Sequence, residues 1–205
     1  MITKVNILFD GGFFWQRFKS IHKKNPTPDD VINTSKRIME LVQEKTQDDT
    51  KDILVRIYYY DCYPFNGKIK MPKEGDGKKK EYQEVDFSNT IGYTKKIDFL
   101  DKLKVKERVA LRLGELSFTG LKQDIYSGKL KPDFKQKSVD MKFGLDIATM
   151  ANKHTIDKIV LVAGDSDFIA PIKHARIEGL QVYLYPMGNH IKENLRTHCD
   201  FILKD

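Results

Sequence analysis

Hydrophobic positions along the chain alternate between short continuous runs and helical stripes, and each run tends to end on an aspartate. Residues 5–9, Val-Asn-Ile-Leu-Phe, form a nearly unbroken apolar run that stops at Asp10-Gly11-Gly12, which predicts a buried strand ended by a turn. The aromatic segment Phe13-Phe14-Trp15 with Phe18 predicts a short helix whose rings pack into the core. Thr27-Pro28-Asp29-Asp30 has a capping residue, a proline in the first turn and an acid three places after the cap. Val31, Ser35, Ile38 and Val42 then share one face, supported by Met39, so a helix is expected to about Glu44. Residues 53–60, rich in β-branched and aromatic side chains, predict a second strand ending at Asp61.

From about residue 62 to residue 94 no period is sustained. Lys68, Lys70, Lys73, Lys78, Lys79 and Lys80 gather around Gly67, Gly75 and Gly77, and the expectation is a flexible lysine-rich insertion. A short helix over 97–103, a strand over 109–116 and a hairpin-like excursion over 118–137 follow. Ser138 is expected to cap a helix reaching about Asn152. Residues 158–163 predict a buried strand leading into Gly164-Asp165-Ser166-Asp167-Phe168, then a helix over 169–178 stopped by Gly179. A strand over 181–185, a short helix over 190–198 and an edge strand over 201–203 complete the chain. Alternation of strand and helix predicts an α/β protein: a three-layer α/β/α, Rossmann-like arrangement around a central, mainly parallel sheet, in one domain over 1–205.

Parallel sheets of this kind bind ligands beyond the carboxyl ends of their strands, where Asp10 and Asp165 are placed. Asp167 is expected to cap the helix that follows it. On the helix from Ser138, the residues Val139, Phe143, Ile147 and Met150 mark the buried stripe. At about 100° per residue, Asp146 projects within roughly 20° of Val139, and Asp140 lies equally close to Ile147. Both acids border a face that should pack on the sheet, where an unpaired carboxylate is costly. A salt bridge to Lys or Arg would answer this, and so would a cation shared among the acids. Clustered carboxylates with no His or Cys suit Mg²⁺ or Mn²⁺ better than Zn²⁺. Such a site is suited to hydrolysing phosphodiesters with a metal-activated water.

Composition narrows the picture further. The 205 residues include 40% hydrophobic and 32% charged positions, ordinary globular material for a single core. No run approaches the roughly 18 apolar residues that a membrane span needs, and no signal-like segment opens the chain, so a cytoplasmic protein without membrane contact is expected. Two cysteines, Cys62 and Cys199, are too few for a disulfide framework and are expected as reduced thiols. The net charge of +7 favours an anionic partner. Lys137, Lys142 and Ser166 lie near the acids in sequence, where an ammonium or hydroxyl could meet a phosphate.

Three segments together resemble a known family. Ile7-Leu8-Phe9-Asp10-Gly11-Gly12-Phe13, then Lys137-Ser138-Val139-Asp140 with Asp146 six residues on, then Val162-Ala163-Gly164-Asp165-Ser166-Asp167-Phe168 are similar to the NYN domain in its LabA-like branch. The resemblance implies a PIN-like nuclease fold. It also implies a metal-dependent ribonuclease site in which Asp10, Asp140, Asp146 and Asp165 are catalytic and, with Asp167, hold Mg²⁺ or Mn²⁺. The chain departs from that pattern at Gly12, where an Asn is common, and at Ser138, where a glycine is usual. The expected partner is nucleic acid, RNA before DNA, with a homo-oligomer left open. The alternative is a non-catalytic RNA-binding or scaffold protein that keeps the fold. An aspartyl phosphatase would want an acid where Gly12 stands, and a serine hydrolase built on Ser166 lacks a convincing histidine base.

Overall fold

The computed structural model describes residues 1–46, 49–72, 82–125 and 127–205. Its centre is a seven-stranded sheet in the spatial order β6-β5-β2-β1-β7-β8-β9. The strands are β1 (Ile2–Asp10), β2 (Lys51–Cys62), β5 (Val109–Gln123), β6 (Leu130–Lys137), β7 (Lys158–Val162), β8 (Gln181–Leu184) and β9 (Phe201–Ile202). Every pairing in it is parallel except β5 with β6. The arrangement is a three-layer α/β/α PIN-like fold.

Strand β1 is central because both of its faces are apolar, as expected of a strand covered by helices on either side. Val5, Ile7 and Phe9 enter one core with α1 (Gly11–His22), α2 (Pro28–Glu44) and α3 (Ile91–Leu103). Leu8 enters the other, with α4 (Val139–Lys153) and α5 (Ile169–Ile177). Helix α2 begins as its sequence predicts. The Thr27 side chain accepts from the Asp30 amide, the Asp30 carboxylate accepts from the Thr27 amide at 2.7 Å, and Pro28 occupies the first turn.

Several elements differ from the sequence expectation. The described part of the lysine-rich insertion carries secondary structure: β3 (Lys68–Pro72) pairs antiparallel with β4 (Tyr82–Asp86), and a 3-10 turn over Phe87–Asn89 leads into α3, which starts six residues earlier than the apolar pattern suggested. Lys73, Gly75, Gly77, Lys78, Lys79 and Lys80 lie outside the described residues. The third strand of the sheet, β5, is twice its expected length because it continues past β2 to build the hairpin with β6. Only Glu193–Arg196 of the expected 190–198 helix is helical, as α6. Ser138 stands at the start of α4 but makes no capping hydrogen bond; its φ of 67° is left-handed, the conformation that a glycine adopts without strain. Both cysteines are free. Among the described residues no helix is long and apolar enough to cross a membrane.

The insertion and the β5–β6 hairpin are tied together by four phenylalanines. Phe65 lies 5.2 Å from Phe134, Phe87 lies 5.7 Å from Phe134, and Phe118 lies 6.0 Å from Phe134. These are ordinary distances for aromatic pairs that contribute packing beyond simple burial.

Candidate metal and nucleic-acid site

Three loop-to-helix transitions at the carboxyl edge of the sheet place the acids. Asp10 ends β1, and its Oδ1 accepts from the Phe13 amide at 3.1 Å, capping α1. Asp165 follows β7 in the same way: its Oδ1 accepts from the Asp167 amide at 3.1 Å. The capping role expected of Asp167 is therefore filled by Asp165, and Asp167 stands exposed in the first turn. Asp140 is exposed in the first turn of α4, brought there by the return of β6. Gly114 allows that return, since a Cβ on it would meet the Lys137 carbonyl oxygen at 2.4 Å and Val139 Cγ2 at 2.6 Å.

Asp140 links the acids electrostatically, its charge bearing on Asp10 and those of Asp165 and Asp167 on it. Burial first, and then the charges of Asp140 and Asp61, raise the Asp10 carboxyl above its ordinary range, against the opposing pull of the Phe13 and Gly12 amides. Burial, followed by the charges of Asp165 and Asp167, raises Asp140 likewise. Among the described residues, Asp10, Asp140, Asp165 and Asp167 have no Lys, Arg or His within ion-pair distance, although the chain is basic overall. The Ser166 hydroxyl oxygen is buried between Asp165 and Asp167 in sequence and has no hydrogen-bond partner.

Asp146 does not join them. Its Oδ2 accepts from the Arg112 Nε at 2.7 Å and from the Tyr60 hydroxyl at 2.9 Å. Tyr60 and Arg112 are direct neighbours on β2 and β5, so the sheet itself presents two donors to this helical acid. The salt-bridge answer considered from the sequence describes Asp146, and it gives this carboxylate a partner in place of a shared cation. Lys142 is also engaged elsewhere, its Nζ donating to the Leu113 carbonyl at 2.5 Å, whereas Lys137 is exposed three residues before Asp140.

One acid beside the site had no signal beyond its strand-end position. Asp61 is 3% exposed and bound by the Lys96 ammonium at 2.5 Å. That ammonium also lies 4.7 Å above the Trp15 ring. Gly11 makes room for the pair, because a Cβ there would meet Asp61 Oδ2 at 2.6 Å. Only the long-range contact between α3 and β2 reveals Lys96.

Do these residues suit a divalent cation? The donors of Asp10, Asp140, Asp165 and Asp167 are all oxygen, two of the carboxyls are held in a state that a positive charge would relieve, and a buried hydroxyl stands without a partner. Among the described residues, however, no three His, Cys, Asp or Glu side chains already stand close enough to grip an ion. The donor chemistry fits, and the exposed side chains of Asp140, Asp165 and Asp167 are the part that would have to close on the ion.

A mainly parallel sheet with unpaired acids beyond its carboxyl edge defines the class, a PIN-like α/β domain. Residues 27–204 match the NYN domain family, and the chain belongs to it; the family lies within the PIN-like nuclease superfamily. The matched segment begins after β1 and does not include Asp10. No curated protein and no solved structure matches the chain.

Proposed function

We propose that this protein is a metal-dependent ribonuclease that cuts phosphodiester bonds at the edge occupied by Asp10, Asp140, Asp165 and Asp167. The observation that carries the reading is that these acids gather at one edge without a cation, the charge of Asp140 bearing on Asp10 and those of Asp165 and Asp167 on Asp140, in a protein that pairs its buried acids Asp61 and Asp52 with Lys96 and Lys158. Mg²⁺ or Mn²⁺ bound by these four would polarise a phosphoryl oxygen and make a bound water more acidic.

The chain's own groups then do the rest. Asp10 is the fixed member, half-buried and held by the Phe13 amide, while Asp140 and Asp165 sit on separate elements, at the start of α4 and after β7. Lys137 brings positive charge to the approaching backbone, and the buried, unpartnered Ser166 hydroxyl would have to turn outward to donate to a phosphate oxygen. No side-chain nucleophile is required. Asp146 acts by orienting α4 through Arg112 and Tyr60, with no contact to the substrate.

End-labelled single-stranded RNA incubated with the purified protein, with and without Mn²⁺ or Mg²⁺, tests this directly. Metal-dependent cutting that disappears in Asp165→Asn supports the reading and excludes a contaminating nuclease. Intact RNA bound by a folded protein would instead support the non-catalytic RNA-binding reading, which draws on Gly12 and on the commitment of Asp146 to Arg112.

A further inference from the structure

Beyond the carboxyl ends of β8 and β9 lies a cavity of about 580 Å³ that contains none of the four acids. It is closed on one side by α1 and on another by the connection from β8 to β9. The connection turns sharply at Met187 and Gly188, with φ of 50° and 67°. A left-handed methionine is a strained choice, of the kind that persists where the surroundings enforce it.

The Met187 carbonyl accepts from Arg17 Nη2 at 3.0 Å, which holds the arginine against the cavity. The Arg17 Nε is buried and has no acceptor. A guanidinium nitrogen in that position calls for an anionic or carbonyl oxygen, because a buried donor without an acceptor has lost its water and gained nothing in exchange. Arg196, His190 and Lys204 add three more basic groups to the lining. Of the two acids there, Asp205 is occupied by Arg37 and by the Tyr185 hydroxyl, leaving Glu193 as the counterweight. Apart from Asn189, the remaining wall is apolar, including Pro186, Ile191 and Ile202. A cationic end beside an apolar wall, in a cavity of drug-like size, suits a ligand that is anionic at one end and flat and apolar at the other.

We infer that this cavity is a nucleotide-binding subsite, in which Arg17 and Arg196 take the phosphate and the apolar wall takes the base. Its place agrees with that role. Helix α1, which carries Arg17, is the helix that Asp10 caps, and α6, which carries Arg196, packs on the turn that holds Asp167. A strand running along the carboxyl edge would meet the acids and this cavity in succession. The assignment as a subsite of the cleaved strand rests on the ribonuclease reading; nucleotide binding itself does not.

The test is titration of adenosine 5′-monophosphate into the metal-free full chain, followed by calorimetry, beside adenosine and inorganic phosphate alone. The same titration is run on Arg17→Met, on Arg196→Gln at the exposed α6 position, and on Asp165→Asn, with thermal melts confirming that each is folded. The expected result is saturable binding of the nucleotide, stronger than that of either fragment, weakened about tenfold or more by each arginine substitution and unchanged in Asp165→Asn. No saturable binding, equal binding of phosphate alone, indifference to both arginine substitutions, or loss in Asp165→Asn would each overturn the proposal. Nucleotide binding without RNA cleavage would defeat the ribonuclease reading and leave this one standing; cleavage without nucleotide binding would do the reverse.

Discussion

Arg112 and Asp146 meet across the interface between β5 and α4, with Nε 2.7 Å from Oδ2, and the Tyr60 hydroxyl occupies the same oxygen. Burial, and then the charge and hydrogen bond of Asp146, raise the Tyr60 phenol far above its ordinary range, so it remains a donor at any working pH. Because the pair is partly exposed, Asp146→Asn should lower stability by only about 1 kcal/mol, at the weak end for a charge-assisted bond. Urea midpoints of the two single variants and the Arg112→Met/Asp146→Asn double variant give the coupling directly. Additive effects would show that the pair does not stabilise the protein. RNA cleavage should survive Asp146→Asn to a greater extent than Asp10→Asn or Asp165→Asn.

The Asp61–Lys96 pair should behave differently, because it is buried. Lys96→Met leaves a carboxylate in the core without its cation and should cost about 3 kcal/mol. Asp61→Asn in the same chain should restore part of that loss. A single-variant cost well below 1 kcal/mol would mean that the two groups are not joined in solution.

Acid stability should report on Asp52. Burial opposes its ionisation, but hydrogen bonds from Lys158, Thr3 and Thr46 outweigh this and lower its carboxyl below the ordinary range. The Lys158 ammonium lies 2.7 Å away. A lowered folded-state value means that the contribution is complete above the unfolded value of about 3.9 and is lost as pH falls through the folded one. The stability gap between the protein and Asp52→Asn, measured by urea unfolding, should therefore be wide at pH 7 and shrink below about pH 4. A gap that is constant with pH would refute the assignment.

Metal should stabilise the fold through the repelling acids. At about a hundredfold excess over Kd, Mn²⁺ bound to the folded state alone contributes about 2.7 kcal/mol, or a rise in Tm of about 5–10 °C for a chain of this size. The rise should vanish in Asp10→Asn and Asp165→Asn and persist in Asp146→Asn. An equal rise in all four proteins would place the ion elsewhere.

Gly114→Ala tests how tightly α4 is seated. Its new methyl would confront a backbone oxygen at 2.4 Å, which cannot rotate away. The substitution should cost about 1–3 kcal/mol, the range for an overpacked site, and should reduce cleavage by displacing Asp140. A melt identical to that of the unmodified protein would show that the β6–α4 junction has slack.

Local patterns fixed more of the fold than of the site. Strand β1, helix α2 and strand β7 were legible because their apolar periodicity, caps and terminal aspartates all agree. The boundaries that shifted, at α3 and β5, lie where partners distant in sequence decide the outcome: the phenylalanine cluster orders the insertion, and β6 prolongs β5. The placement of Asp10 and Asp165 at one edge follows from strand-end reasoning, whereas Asp140, which the helix angle sets beside the buried stripe, is exposed in the first turn of α4. The partnership of Asp146 does not follow from the sequence, since helix angle shows that an acid faces the sheet but not which strand neighbour awaits it. Arg17 was hidden for the same reason, as an arginine in an amphipathic helix looks alike in sequence whether its nitrogen is solvated or sealed.

The phenylalanine cluster has a practical consequence for anyone trimming this protein. Phe65 and Phe87 flank the β3–β4 hairpin, while Phe118 and Phe134 belong to β5 and β6. Removing the insertion as though it were dispensable would strip one half of a shared apolar seam and leave the other half bare on a long, extended hairpin, the kind of surface that recruits other chains into aggregates.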